Sequence, residues 1–139
     1  MDRLTPEQRS RLMSKVRQKG TDIELSVSRA LRQRGFHFRK NVRELAGSPD
    51  LVFTRERLAV FIDGDFWHGF RYPCWRHKIQ PFWREKIEAN RRRDQRNFRS
   101  LRRDGWRVMR IWQHQIETDI IGCVTRIITG LQPPNAHDI

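Results

Sequence analysis

Three stretches of this chain combine side chains that can do chemistry. Asp50 opens the apolar run Asp50-Leu-Val-Phe-Thr54 directly after Gly47-Ser48-Pro49. A carboxylate there stands at the end of a predicted strand beside a turn, within reach of solvent. A hard cation such as Mg²⁺ finds the oxygen ligands it prefers at such a place. Taken alone, the position reads more simply as a turn residue bonding its own backbone. The second stretch, Asp63-Gly-Asp65-Phe-Trp-His68, follows another apolar run and brings two acids, two large aromatics and an imidazole together. Histidine accepts a proton near neutral pH, and exposed aromatics beside it suit stacking on bases or wedging between base pairs. Core packing of Phe66 and Trp67, with His68 bonded to a neighbour, is the alternative. The third stretch holds Arg84, Lys86, Arg91, Arg92, Arg93, Arg96, Arg99, Arg102 and Arg103 against Glu85, Glu88 and Asp94. A charge run is usually a solvated face, but the bias to arginine favours phosphate, which the guanidinium fork binds in bidentate fashion. Asp94 reads locally as a salt-bridge partner of those arginines.

The elements that must position these groups follow from periodicity and punctuation. Thr5-Pro6 opens a helical arm over about 5–19, with Leu12, Met13 and Val16 as its stripe and Gly20 as its stop. Thr21-Asp-Ile-Glu24 reads as a capping box for a second helix carrying Ile23, Val27, Ala30 and Leu31 and ending at Gly35. Phe36 to Lys40, Asp50 to Thr54 and Leu58 to Ile62 read as short strands. The stretch from Gly64 to Gln80 reads as irregular. A long helix is predicted from Pro81 to Asp104, a strand over Trp106–Trp112, and a last helix from about Thr118 to Gly130. A flexible tail over about 132–139 completes the expectation. Helices alternating with short strands in this order predict one α/β domain over 1–139, a sheet with helices packed on it.

The chain has 29 Lys and Arg against 16 Asp and Glu, a formal charge of +13. Such an excess repels itself on compaction, so a polyanionic partner is its natural explanation. No run of 18 or more apolar residues is present, which argues against a membrane span. The polar start Met1-Asp2-Arg3-Leu4 lacks the apolar region of a signal peptide. Cys74 and Cys123 make no disulfide framework, which fits a reducing cytoplasm. Cys74-x-x-His77 is one local pair and a weak zinc signal; a free cysteine is the default.

Together these pieces resemble the very-short-patch repair (Vsr) mismatch endonucleases, relatives of the PD-(D/E)xK nucleases. The resemblance runs from about Arg9 to His114. Its markers are Arg9-Ser10-x-x-Met13-x-x-Val16-x-x-Lys19-Gly20-Thr21-x-x-Glu24, Gly47-Ser48-Pro49-Asp50-Leu51-Val52 and Asp63-Gly64-Asp65-Phe66-Trp67-His68-Gly69. Phe82-Trp83-x-x-Lys86-Ile87-x-x-Asn90-x-x-x-Asp94 and Gly105-Trp106-Arg107-Val108 leading to Trp112 complete them. The resemblance implies a restriction-endonuclease-like mixed sheet flanked by helices, and a Mg²⁺-dependent endonuclease that nicks double-stranded DNA at a mismatch, leaving a 5′-phosphate. It implies that Asp50 and the main-chain carbonyl of Ile62 hold the metal. His68 serves as base or orienter of the attacking water, and Glu24 and Asp94 hold the ion's waters. Phe66, Trp67 and Trp83 enter the DNA stack, while Arg91, Arg92, Arg93 and Arg96 are the expected phosphate contacts. A monomer acting on chromosomal DNA in the cytoplasm is the expected form. Family members with structural zinc carry Cys where Asp65 stands, with further ligands downstream. Here Asp65, Cys74, His77 and His114 would form a mixture of hard and soft donors, and no structural zinc is expected. A homing or restriction-type endonuclease cutting a matched site, and a DNA-binding module without catalysis, are the rival readings.

Overall fold

The computed structural model describes residues 22–132. Helix α1 (22–33) is followed by β1 (Arg39–Lys40), β2 (Leu51–Phe53) and β3 (Leu58–Asp63). A short helix α2 (Tyr72–Trp75) and a 3₁₀ turn (Arg76–Lys78) lead to α3 (Pro81–Arg103), β4 (Arg107–Trp112), α4 (Gln113–Thr118) and α5 (Ile120–Leu131). The strands form one mixed sheet of order β1-β2-β3-β4. β1 and β2 are antiparallel, as are β2 and β3, whereas β3 and β4 run parallel. Parallel neighbours need a crossover, and α3 supplies it. This is the mixed, helix-flanked α/β sheet expected from the sequence.

All six residues of β3 are buried, as a strand covered on both faces demands. Alternation then divides them. Leu58, Val60 and Ile62 pack with Ile23, Val27 and Leu31 of α1 and Val124 and Ile127 of α5. Ala59 and Phe61 pack on the other face with Phe98 and Leu101 of α3. Fully buried aliphatics such as Val27, Leu31, Ile111 and Ile127 each contribute roughly 1.5–3 kcal/mol of burial free energy. Pro81 starts α3, where a missing N–H costs nothing, and the 23 residues of the helix span about 35 Å. Asp119 caps α5 by accepting from the Gly122 N–H at 2.9 Å.

Three expectations need correction. The strand predicted over Phe36–Lys40 is a ladder of Arg39 and Lys40 only, paired with Val52 and Leu51. Phe36 and Phe38 pack against the core without ladder bonds of their own. The stretch 64–80 is not wholly irregular, since it contains α2 and the 3₁₀ turn, with Pro73 in the first turn of α2. Helix α4 had no predicted counterpart, since its six residues carry one buried apolar side chain, Ile116, and so no periodicity. The helical arm over 5–19, Thr21 of the capping box and residues 133–139 of the tail lie outside the described residues.

Candidate active site

The β2–β3 hairpin places Asp50. Gly47 at φ 78° and Ser48 at φ 50° take the left-handed turn that reverses the chain before β2. Because β2 is antiparallel to β3, the start of β2 lies at the carboxyl end of β3. There the Ile62 N–H donates to Asp50 Oδ2 at 2.6 Å. Val60 is the last β3 residue paired with β2, so Ile62 lies just past the ladder. A strand residue turns its N–H and C=O to the same neighbour, and the Ile62 carbonyl therefore faces the side that Asp50 occupies. Glu24, in the first turn of α1, lies close enough to the Asp50 carboxyl to act on it electrostatically. Burial and then the Glu24 charge push the Asp50 pKa up to about 9, against the lowering effect of the Ile62 bond. Among the described residues no basic side chain forms an ion pair with Glu24 or Asp50. Burial and the neighbouring acid thus hold Asp50 towards its protonated form.

A second cluster lies at the same end of β3, on the α3 face of the sheet. His68 Nδ1 is 2.8 Å from Asp94 Oδ2. Its Nε2 is 3.5 Å from Asp63 Oδ1. Arg110 on β4 donates through Nε to Asp63 at 2.6 Å and through Nη2 to Asp94 at 2.7 Å. Its guanidinium lies 4.2 Å from the centre of the Trp112 ring and 5.1 Å from that of Phe98. Burial raises the Asp63 pKa, while His68 and Arg110 oppose the rise. Burial pulls the His68 pKa down, but the Asp94 bond and the charges of Asp63 and Asp94 outweigh it, so the net shift is upward. The loop carrying His68 is fixed by Gly69 at φ 71°, where a Cβ would stand 2.8 Å from Arg91 Cδ.

Asp63, His68 and Asp94 offer ligand atoms within 4.8 Å of one another, a geometry able to hold a metal. Arg110 already supplies positive charge to both acids, however, and would repel a divalent ion set between them. Among the described residues the Glu24–Asp50 pair has no such competitor.

The aromatics expected at the DNA form one half-buried group outside the two core clusters. Phe66 stacks on Trp75 at 5.7 Å and meets Trp67 edge-on at 5.4 Å, and Trp67 meets Trp83 at 5.6 Å. A cleft of about 500 Å³ beside them is lined by Trp67, His68, Lys86, Ala89, Asn90 and Arg93. Asn90 ties the loop to α3 by donating to the Trp67 carbonyl at 3.0 Å. Arg91, Arg92 and Arg96 line a separate groove of about 430 Å³ with Glu88, Gln95 and Arg99. The four arginines expected to act together therefore divide between two faces of α3, with Arg93 on the His68 side. Asp65 and His114 pair with each other at 2.8 Å, and Cys74 and His77 are exposed on the α2 segment.

Glu24, Asp50, His68 and Asp94 thus gather at one end of β3. Asp63 and Arg110 join them although neither had been expected as a site residue. An acid ending the otherwise apolar run Leu58–Asp63 was one available signal. An arginine at an inward position of the strand Arg107–Trp112 was the other.

A strand end that collects acids and an imidazole under a cationic helix belongs to nucleases of the restriction-endonuclease-like kind. The family follows from comparison with known proteins. The sequence model described as DNA mismatch endonuclease Vsr matches residues 1–73. The type II nicking enzyme V.XorIIP of Xanthomonas oryzae pv. oryzae is 40% identical over 136 residues, covering 95% of this chain and 98% of its own. The type II nicking enzyme V.NmeDIP of Neisseria meningitidis serogroup C is 38% identical over 130 residues, covering 91% and 88%. The DNA mismatch endonuclease Vsr of Escherichia coli is 35% identical over 109 residues, covering 76% and 69%. The chain belongs to the Vsr DNA mismatch endonuclease family and is a DNA endonuclease. Among the described residues no helix is long and apolar enough to cross a membrane.

Proposed function

We propose that this endonuclease nicks one strand of duplex DNA at a mismatch, in very-short-patch type repair, by a Mg²⁺-dependent hydrolysis that leaves a 5′-phosphate. The observation that carries the reading is the Glu24–Asp50 pair, two oxygen donors driven together with no basic partner among the described residues. Hard oxygen donors fit a hard divalent cation, and its arrival would release the proton that burial and Glu24 hold on Asp50. Asp50 and the Ile62 carbonyl are the ligands in this reading, with Glu24 beside them. When bound, Mg²⁺ supplies neutralisation of the scissile phosphate and stabilisation of the departing oxygen.

The remaining work falls to side chains of the chain itself. An Nδ1–H of His68 donated to Asp94 leaves the Nε2 lone pair free to take the proton of an attacking water. Lys86 and Arg93, lining the same cleft, hold phosphate oxygens. Phe66, Trp67 and Trp83 present ring faces and edges on which exposed bases stack. The names of the relatives support the nick, since two are described as nicking enzymes and one as a mismatch endonuclease. In this reading one chain acts alone on chromosomal DNA in the cytoplasm.

Matched and T·G-mismatched duplexes incubated with the protein and Mg²⁺, with a chelator as control, test the proposal. Mismatch-selective nicking that stops on chelation is expected. Equal cutting of the matched duplex would replace the repair role with a site-specific one, and cutting under chelation would remove the metal.

A further inference from the structure

His68 has a carboxylate on each side, yet a general base needs one ring nitrogen unencumbered. Asp94 Oδ2 lies 2.8 Å from Nδ1, a full hydrogen bond, whereas Asp63 Oδ1 lies 3.5 Å from Nε2, beyond hydrogen-bond length. Something decides between two acids that could each hold the ring. Arg110 touches both: Nε takes Asp63 Oδ2 at 2.6 Å, and Nη2 takes Asp94 Oδ2 at 2.7 Å. Its planar head lies between the Trp112 and Phe98 rings, 4.2 Å and 5.1 Å from their centres, and so cannot swing freely.

We propose that Arg110 is the positioning residue that sets the His68 tautomer, by drawing Asp63 off Nε2 while leaving Asp94 on Nδ1. Asp63 is buried at the end of β3, and its carboxylate must be satisfied by a nearby donor. Without Arg110 that donor is His68 Nε2–H, and the nitrogen needed for the water's proton becomes a bridge between two acids. Lysine cannot replace Arg110, because it lacks the rigid fork that reaches two carboxylates from one plane. The other charged groups lining the His68 cleft are Lys86 and Arg93 of α3, and neither is recorded in contact with Asp63. The inference deepens the proposed role of His68 and rests on it for the effect on rate.

Two measurements test it. The first is the ¹⁵N signature of His68 in the protein without DNA or metal, which does not depend on any catalytic assignment. The native ring should carry its neutral-state proton on Nδ1. In Arg110→Met it should shift towards Nε2 protonation, with titration at higher pH because one more free acid then faces the ring. The second is a rate comparison of four proteins at saturating DNA. Arg110→Met should lower kcat on the order of 10²-fold with little change in KM. Asp63→Ala completes the comparison as the second single variant. Asp63→Ala combined with Arg110→Met should recover at least about tenfold over Arg110→Met alone, since the competitor for Nε2 is gone. A merely structural ion pair would recover in the double variant in stability, by removing the unpaired buried Asp63 charge, but would leave the ¹⁵N signature of His68 and the kcat of the folded single variant unchanged. Should Arg110→Met fail to fold, Arg110→Lys supplies the same comparison. An unchanged ¹⁵N signature in the folded Arg110 variant, or a double variant as slow as the single one, overturns the proposal. If His68→Ala proves fully active while the tautomer shift appears, the catalytic role of His68 fails and the positioning role of Arg110 survives.

Discussion

The two acid clusters at the carboxyl end of β3 differ in one respect: who balances the charge. Asp63 and Asp94 hold Arg110 and His68 at hydrogen-bond or near-contact distance. Among the described residues, Glu24 and Asp50 face each other and the Ile62 N–H, and no basic side chain pairs with either. A balanced cluster is rigid and suited to fixing a proton's position, because each partner is already satisfied. An unbalanced one stores unfavourable charge that a visiting cation relieves. In the proposed mechanism metal binding falls to one side of the rim and proton transfer to the other, a division that can be broken in several ways.

The largest expected effect is at Asp50. Asp50→Ala should abolish nicking at any Mg²⁺ concentration while the affinity for duplex DNA in a gel-shift assay stays close to native; a fully active variant ends the metal assignment. Next comes the balanced cluster. His68→Ala should cost roughly 10²–10⁴-fold in kcat, and Asp94→Asn less, because it only orients the ring. Equal losses for the two would mean that Asp94 does more than orient.

A third expectation concerns stability against pH without metal. The Asp50 pKa is raised from 3.8 to about 9 by burial and by Glu24, so the folded state holds the proton more tightly than the unfolded chain. The stabilisation from that proton is full below the unfolded pKa near 3.8 and is lost as the pH rises through about 9. Thermal melts of metal-free protein should therefore show stability falling from pH 5 to pH 9, by about 1 kcal/mol or more in excess of Asp50→Asn. Added Mg²⁺ should stabilise the native chain more as the pH rises, since its ligands must be deprotonated. A pH profile identical in Asp50→Asn would show that the Glu24–Asp50 pair holds no such charge.

The smallest effect separates the two faces of α3. Arg93→Gln, in the His68 cleft, should reduce the slope of log K against log salt by about 0.9, the share of one phosphate contact. Arg96→Gln, in the outer groove, should leave the slope nearly unchanged unless the duplex wraps around the helix. Equal slopes for the two variants would erase the distinction.

Much of the scaffold was legible along the chain. The buried strand Leu58–Ile62, the long helix from Pro81 and the alternating strand to Trp112 carry their own periodicity and their own Pro and Gly stops, and these local signals survived packing. The strand over Phe36–Lys40 did not, because Phe36 and Phe38 pack against the core while only Arg39 and Lys40 meet β2, a pairing that no local pattern records. Helix α4 was missed because a single buried residue leaves no period to read.

Site chemistry divides along the same line. Residue types and spacing drew attention to Asp50, His68 and the arginine-rich helix but left their roles open, and the resemblance to the Vsr family supplied the roles expected of them. Which acid meets which base was beyond them. Asp63 and Arg110 are 47 positions apart, and they meet only because β3 and β4 lie parallel in the sheet. Glu24 reaches Asp50 only because α1 packs on the face beneath β3. Charge balance is a property of distances, which fall off within a few ångströms. Sequence sets what each side chain can do, and the packing of sheet and helices decides which carboxylates are left wanting a cation.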